Sequence, residues 1–176
     1  QHQGAQELAR VARATGAEGY AHNTTVNFGR VLAKYVKLTM KSSWGGGTLY
    51  GLWGTSPTDL FAVGQSGLVS HYNGTSWPTQ PTGVTNTLSS VWGSASNNVF
   101  AVGSGGTILR NNGTSWSGDL TGSTADLTAV WTRTGSDVFA VGRGGVILRR
   151  SNTGWSAMSS GTTSDLVAIW GASPNA

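Results

Sequence analysis

A period of 39 residues constrains this chain more than any other feature. Tryptophan recurs four times and phenylalanine three times at this spacing, with no insertion between copies. The recurring residues are Trp53, Trp92, Trp131, Trp170, Phe61, Phe100 and Phe139, and the series Trp77, Trp116 and Trp155 keeps the same step. A fixed period of this size is typical of a repeat protein, in which each unit buries its apolar surface against its neighbours.

The repeating unit is composed of short apolar segments separated by Gly, Asn, Ser and Thr, which predicts strands and turns. In the copy at residues 88–126 we predict four strands, at 88–92, 99–102, 107–110 and around Trp116. The second, VFAV, is apolar at every position, so both of its faces must be covered. The predicted fold class is therefore all-β, with four-stranded units that form the blades of a β-propeller.

Glycine and the large aromatic residues allow more specific predictions. Gly103 is expected to end the second strand, and the pairs Gly105–Gly106 and Gly144–Gly145 are expected to supply the positive φ of tight hairpins. The three recurring phenylalanines and the Trp53 series are expected to be nearly fully buried between adjacent blades.

Four segments make up the predicted domain organisation. Residues 1–33 form a basic N-terminal arm or a short helix and strand segment, and 34–48 resemble the outer strands of a partial blade. Residues 49–165 form three complete blades, and 166–176 begin a further one. Residues 1–41 contain six basic and two acidic side chains, which is the whole net charge of +4. We expect this arm to affect binding to anionic surfaces rather than folding.

A partial blade at each end would expose unpaired strand edges, which folded proteins rarely leave uncovered. The two ends can combine into a four-bladed ring, partial rings can join between molecules, or the chain can belong to a longer repeat protein. Strand exchange between subunits is favoured, because the short loop at residues 45–47 and the basic arm both depart from a self-closing repeat.

The run GTILRNNGTSW, which follows VFAVG, resembles the repeat of bacterial Asp-box (BNR-like) propellers and of propellers of the photosystem-assembly-factor type. The resemblance covers residues 49–176 and implies the propeller fold without a particular function. Asn73 and Asn112 stand where the box has Asp, and we interpret them as turn residues. Sialidases share this scaffold, but their arginine triad, tyrosine nucleophile and acid have no recognisable motif here.

The sequence contains no recognisable catalytic arrangement. Its three histidines are scattered, it has no cysteine, and the repeats contain no obvious pair of general acids. The glycine pairs are not followed by the Lys-Ser/Thr and helix of a phosphate loop. We therefore predict no enzymatic activity, no cofactor and no metal.

Two repeat positions carry different side chains on a constant backbone, as expected of a binding surface. One is occupied by His71, Arg110 and Arg149, and the other by Gln65, Ser104 and Arg143. We predict ligand binding at His71, Arg110, Arg149 and Arg143, with ordinary variation of solvent-facing residues as the alternative. The repeated tryptophans are interpreted as blade-to-blade contacts rather than as platforms for sugars.

Together these features favour a module for binding or adhesion, with a structural, filament or assembly subunit as the alternative and a sialidase-like hydrolase less favoured. The expected partners are the chain itself and a carbohydrate or surface protein, without specific nucleic acid. No apolar run approaches the roughly 20 residues of a membrane span. Charged residues are 10% of the chain, which is typical of exported proteins and predicts a secreted or cell-surface bacterial protein.

Overall fold

A computed structural model describes residues 48–171, which form three antiparallel sheets in chain order. The first sheet comprises β1 (Leu49–Ser56), β2 (Asp59–Gly64) and β3 (Val69–Tyr72); the second β4 (Leu88–Ala95), β5 (Asn98–Gly103), β6 (Ile108–Asn111) and β7 (Trp116–Gly118); and the third β8 (Leu127–Thr132), β9 (Val138–Gly142), β10 (Ile147–Ser151) and β11 (Gly154–Met158). The predicted arm at 1–33 and nearly all of the predicted partial blade at 34–48 lie outside the described residues.

Within each sheet, consecutive strands pair with each other, and corresponding strands of the three sheets occupy the same order. The first strands begin at Leu49, Leu88 and Leu127 and therefore follow the period of the sequence. All four strands predicted for residues 88–126 are present in the second sheet. The prediction of short antiparallel strands in place of helices is thus confirmed.

The strand β5 is covered on both faces, as its continuous apolar sequence predicted. Val99, Phe100, Ala101 and Val102 are all fully buried. Val99 and Ala101 pack in one cluster with residues of the first sheet, whereas Phe100 and Val102 pack in a second cluster with residues of the third. Because alternate residues of a strand point to opposite faces, the second sheet is packed between its two neighbours.

The predicted burial of the aromatic residues is confirmed in part. Phe61 and Phe100 are fully buried. The prediction is wrong for four residues that are only half-buried: Phe139, Trp53, Trp92 and Trp131. It is also wrong for Trp170, which is 76% exposed. Phe139 belongs to the third sheet, and no further sheet among the described residues covers its outer face.

The first-strand tryptophans lie over the first strand of the next sheet, which leaves one ring edge accessible. A Cβ atom added to Gly93 would stand 2.7 Å from the Trp53 ring and 2.8 Å from the carbonyl oxygen of Asn98. In the same way, a Cβ atom added to Gly171 would stand 2.9 Å from the Trp131 ring. Gly93 and Gly171 therefore make room for the tryptophan ring of the preceding copy, whereas the third sheet has Thr132 at this repeat position.

Tryptophans of the fourth-strand position also cross to the preceding sheet. The indole Nε1 of Trp116 donates to Oε1 of Gln80 at 2.6 Å. In the next junction, Nε1 of Trp155 donates to Oδ2 of Asp119 at 3.1 Å, and Nε of Arg150 donates to the same oxygen at 3.1 Å. The interpretation of the repeated tryptophans as contacts between units is confirmed by these hydrogen bonds.

The turns between second and third strands use positive φ, as predicted. Gly105 and Gly106 have φ of 63° and 71°. A Cβ atom on Gly106 would collide with the carbonyl oxygen of Ser123, which belongs to the segment leading to the third sheet. In the first sheet Ser66 takes the first of these positions at φ 55°, a conformation that costs a residue with a Cβ more than it costs glycine.

In the first and second sheets, the turn after the third strand is closed by asparagine. Oδ1 of Asn73 accepts hydrogen bonds from the backbone N–H groups of Thr75 and Ser76, each at 3.0 Å. Asn112 makes the same pair of bonds in the second sheet. An amide oxygen serves here as well as a carboxylate oxygen would, so the interpretation of both residues as turn residues is confirmed.

The first sheet lacks the fourth strand that the repeat predicted. An isolated bridge between Ser70 and Thr79 is all that pairs this segment with β3. The N–H of His71 donates to the carbonyl of Pro78 at 3.1 Å, but proline has no N–H to return to the ladder. Proline in the position held by serine in the other two sheets therefore ends the pairing.

Residues 166–170, predicted to be the first strand of a further blade, are not assigned to a strand. The N–H of Leu166 donates to the carbonyl of Gly142 at 3.0 Å, and Thr128 donates its hydroxyl to the carbonyl of Leu166. These bonds attach the segment to the third sheet. A strand in this fold also pairs with the strand that follows it, and the described residues contain none after this segment.

The difference in burial between equivalent phenylalanines predicts a difference in stability. We expect Phe100→Ala to lower the free energy of unfolding by about 3–5 kcal/mol, because it leaves a cavity between two sheets. Phe139→Ala, at the half-buried equivalent, should cost clearly less. Urea denaturation of both variants measures this, and equal losses would contradict the burial described here.

Gly93 and Gly118 form a matched pair for testing the Trp-Gly contact. We expect Gly93→Ala to destabilise the protein by about 1–3 kcal/mol through overpacking against Trp53. Gly118→Ala should be nearly neutral, since a Cβ there meets nothing within 4 Å. Thermal unfolding followed by tryptophan fluorescence distinguishes the two, and a neutral Gly93→Ala would show that the ring does not occupy this space.

Candidate functional site

The first predicted binding position lies on the third strand of each sheet, where each residue pairs with the second-strand phenylalanine. The pairs are His71 with Phe61, Arg110 with Phe100 and Arg149 with Phe139. The ring of His71 stacks on its phenylalanine at a centroid distance of 4.1 Å. The Cζ atoms of Arg110 and Arg149 lie 5.8 and 5.4 Å from their ring centroids, which is within the range of a cation–π interaction.

In two of the sheets an acidic residue completes this arrangement. It stands two positions before the phenylalanine, at the start of the second strand. Nε2 of His71 lies 2.6 Å from Oδ1 of Asp59, and Nε of Arg149 donates to Oδ1 of Asp137 at 2.8 Å. The cationic or aromatic side chain is therefore held between a phenylalanine ring and a carboxylate.

The second sheet has Asn98 in place of this acid. Nε of Arg110 and Oδ1 of Asn98 are both buried and have no hydrogen-bond partner. The amide Nδ2 of Asn98 donates to Oγ of Ser94 at 3.1 Å, and Gly135 of the next sheet lies against it. Buried polar groups without partners are costly and uncommon in native proteins. Arg110 is consequently the member of the series whose Nε–H has no partner among the described residues.

Asp59 is the centre of a hydrogen-bond network that joins the first two sheets. Oγ of Ser96, in the first hairpin loop of the second sheet, donates to its Oδ2 at 2.6 Å, and Thr55 donates its hydroxyl to the same oxygen. Burial by itself raises the pKa of this carboxyl, but the hydrogen bonds from Ser96, Thr55 and His71 outweigh it. The pKa of Asp59 is therefore held below its ordinary value.

This network brings a serine, a histidine and an aspartate together, but not in the order that activates a nucleophile. In a catalytic triad the hydroxyl donates to the imidazole and the carboxylate orients the imidazole. Here Ser96 and His71 both donate a hydrogen bond to Asp59. The Ser96 hydroxyl therefore faces a carboxylate, which is a weaker base than an imidazole. The arrangement thus acts as a clamp between sheets. Asp59 was missed in the sequence, although its equivalent Asp137, at the same repeat position, was a signal that could have identified it.

The second predicted position lies at the other end of the sheets. Arg143 follows the last residue of β9, whereas Arg149 pairs with residues near the start of that strand. Nε of Arg143 is 3.8 Å from Oδ2 of Asp126, and both side chains are well exposed. Gln65 and Ser104 are the equivalents of Arg143 in the first and second sheets. Gln65 accepts a hydrogen bond from the N–H of Thr48, and Ser104 donates its hydroxyl to the carbonyl of Thr87. The structure therefore separates Arg143 from the other three predicted site residues.

A search of residues 48–171 finds no cluster of three or more His, Cys, Asp or Glu side chains placed to hold a metal ion. In the same part of the chain, no helix is long and apolar enough to cross a membrane.

No family model and no curated protein matches this chain. Solved structures do match. YCF48 from Cyanidioschyzon merolae shares 21% identity over 66% of this chain and 41% of its own, with a TM-score of 0.57. A structure of YCF48 bound to D1 peptide shares 17% identity over 63% of this chain and 40% of its own, with a TM-score of 0.54. This chain thus spans about two fifths of their length.

These matches define the class of fold. Both proteins are β-propellers, and their likeness to the three antiparallel sheets shows that this chain has the same all-β fold. The predicted fold class is thereby confirmed at that level. Identities near 20% show the fold alone.

The lowered pKa of Asp59 predicts how stability depends on pH. Its carboxylate form is stabilised in the folded protein, so this contribution is present above the unfolded-state pKa of about 3.9. It is lost as the pH falls through the lower folded-state pKa. We expect Asp59→Asn to be less stable than the wild type at pH 7, with a smaller further loss below pH 4. Urea denaturation from pH 7 to 3 measures both, and parallel pH profiles would contradict the prediction.

Proposed function

We propose that this chain is a non-enzymatic propeller scaffold that binds a protein segment bearing carboxylates, with Arg110 as the anchoring residue. The observation that carries the proposal is the buried Nε of Arg110, which has no hydrogen-bond partner. Equivalent side chains in the neighbouring sheets are paired with Asp59 and Asp137. A carboxylate from a partner would supply at the second sheet what the chain itself supplies at the other two.

The surroundings of Arg110 suit an anionic group. Its guanidinium lies over Phe100, and the guanidinium of Arg150 lies 5.9 Å from the same ring. Arg150 is paired with Asp119, so Arg110 remains the cation to which a ligand can bind. A planar guanidinium matches a carboxylate with two parallel hydrogen bonds.

A peptide is favoured over a glycan as the ligand. One of the similar propellers is described as bound to D1 peptide, so a protein of this fold can bind a peptide. The indole N–H groups of Trp92, Trp116 and Trp155 are used in contacts between sheets. These three indoles are therefore engaged in contacts between sheets.

We also propose that the protein acts outside a bacterial cell, at its surface or after secretion. The low charged fraction of 10% supports this. Fractionation of the source cells with an antibody against the chain tests it. The second candidate function, an assembly subunit, is favoured by the uncovered face of the third sheet, which is described below.

The ligand proposal predicts a specific loss of binding. A library of short peptides containing Asp and Glu should yield binders whose affinity falls when Asn and Gln replace the acids. Arg110→Ala should weaken the best binder roughly 10- to 100-fold, the equivalent of losing a charge-assisted hydrogen bond of about 1.5–3 kcal/mol. Arg149→Ala, whose side chain is already paired with Asp137, should change it less than about 3-fold. Isothermal titration calorimetry measures each value.

Two results would contradict the proposal. Equal binding of the acidic and the amide peptides would show that no carboxylate is recognised. Binding confined to a glycan panel, with a change in tryptophan fluorescence, would favour a lectin instead.

A further inference from the structure

Among residues 48–171, no further sheet covers the third sheet on the side away from the second. Ile147 and Met158 lie opposite each other in neighbouring strands and therefore share this side. A groove of about 640 Å³ lies beside them, lined otherwise by Val146, Ala157 and a run of Gly, Ser and Thr. Met158 is 44% exposed, and Val167 and Trp170 close by in sequence are 75% and 76% exposed. We call Ile147 and Met158 the open face.

The equivalent grooves of the first and second sheets are both filled. Ile147 corresponds to Val69 and Ile108, one and two repeats earlier. Trp116 packs in the same cluster as Val69, and Trp155 packs against the cluster that contains Ile108. In each junction the fourth-strand tryptophan of one sheet enters the groove of the sheet before it. The open face is thus the third member of a series whose other members bind the next sheet.

The residues that meet in each junction are matched in polarity. The repeat position that accepts the indole N–H is Gln80 in the first groove and Asp119 in the second. Asp119 also accepts from Arg150, so an anion meets a cation and an indole. The open face has Met158 at this position. A thioether is a weak acceptor but makes favourable contacts with aromatic rings, so this groove suits an aromatic, uncharged partner.

The first sheet presents such a partner. Tyr72 stands at the repeat position of Arg150, and Trp77 at that of Trp155. Their rings stack with centroids 5.1 Å apart. By the repeat, both side chains belong to the face turned away from the second sheet, since Trp116 faces the preceding sheet.

We propose that the open face binds the first sheet of a second copy of this chain, head to tail, with Met158 against Tyr72 and Trp77. Continuity with the two junctions already present in the chain, and the match of thioether to aromatic rings, select this occupant. The contact joins two different surfaces, so it forms a ring or a filament according to the rotation between copies. This assembly goes beyond the proposed peptide binding and does not involve Arg110.

The test uses the full 176-residue chain and sedimentation velocity over a range of concentrations. The wild type should show a mass that rises with concentration. Met158→Asp should weaken association at least 10-fold, because it places a carboxylate against Tyr72 and Trp77. Tyr72→Arg should weaken it similarly. Mixing the two variants should restore association, because the intact Met158 of one variant then meets the intact Tyr72 and Trp77 of the other.

Leu120→Asp is the matched control, because Leu120 is an apolar side chain that is 97% exposed outside the open face; its mass profile should equal that of the wild type. A wild type that stays monomeric at the highest concentration overturns the proposal, whether or not a variant folds. So does a mixture of folded variants that fails to associate. Arg110→Ala should assemble normally, so failure of the peptide proposal and failure of this one are distinguishable.

Discussion

The fold depends on β5, the second strand of the second sheet, which is covered by neighbouring sheets on both sides. Phe100 and Val102 of β5 face the third sheet, while Val99 and Ala101 face the first. Burying one such side chain fully is worth about 1.5–3 kcal/mol. Each neighbouring sheet covers two of these four side chains, so each contributes about half of the burial free energy of the strand. A single sheet of this sequence would therefore leave both of its apolar faces in water, so stability arises from the stacking of sheets rather than from any sheet alone.

The spacing between sheets is set by glycine, and this spacing positions the candidate site. At Gly93 the backbone lies against the Trp53 ring, and at Gly106 it lies against the segment that leads to the next sheet. The same close approach brings Ser96 of the second sheet within 2.6 Å of Asp59 in the first. Sheet stacking thus completes the network around Asp59, and a shift of the second sheet would break the hydrogen bond from Ser96, one of those that lower the pKa of Asp59.

Local patterns predicted the strands and turns, but contacts between repeats escaped them. The VFAV strand and the positive φ of Gly105 and Gly106 follow from residues adjacent in sequence. His71 and Asp59 are 12 residues apart in sequence and are brought together by the register of β2 and β3. A list of candidate residues does not contain this register. Arg143 was grouped with Arg149 by chemistry, whereas the strand between them places the two residues at opposite ends of the sheet. Tryptophan burial was overestimated because the period reveals that a ring is repeated, not how much of it the next sheet covers.

Identical packing in every junction would allow the sheets to stack in any order, and the side chains that break the repeat remove this freedom. Asp119 meets Arg150 and Trp155 in the junction where all three belong. Against Tyr72 the same carboxylate would be partly buried without a cation, an arrangement that costs far more than the paired one gains. Specific order thus follows from the penalty on wrong neighbours. The substitution of Asn98 for the repeated aspartate also breaks the repeat, and it leaves the buried Nε of Arg110 without the carboxylate partner that Arg149 has in Asp137.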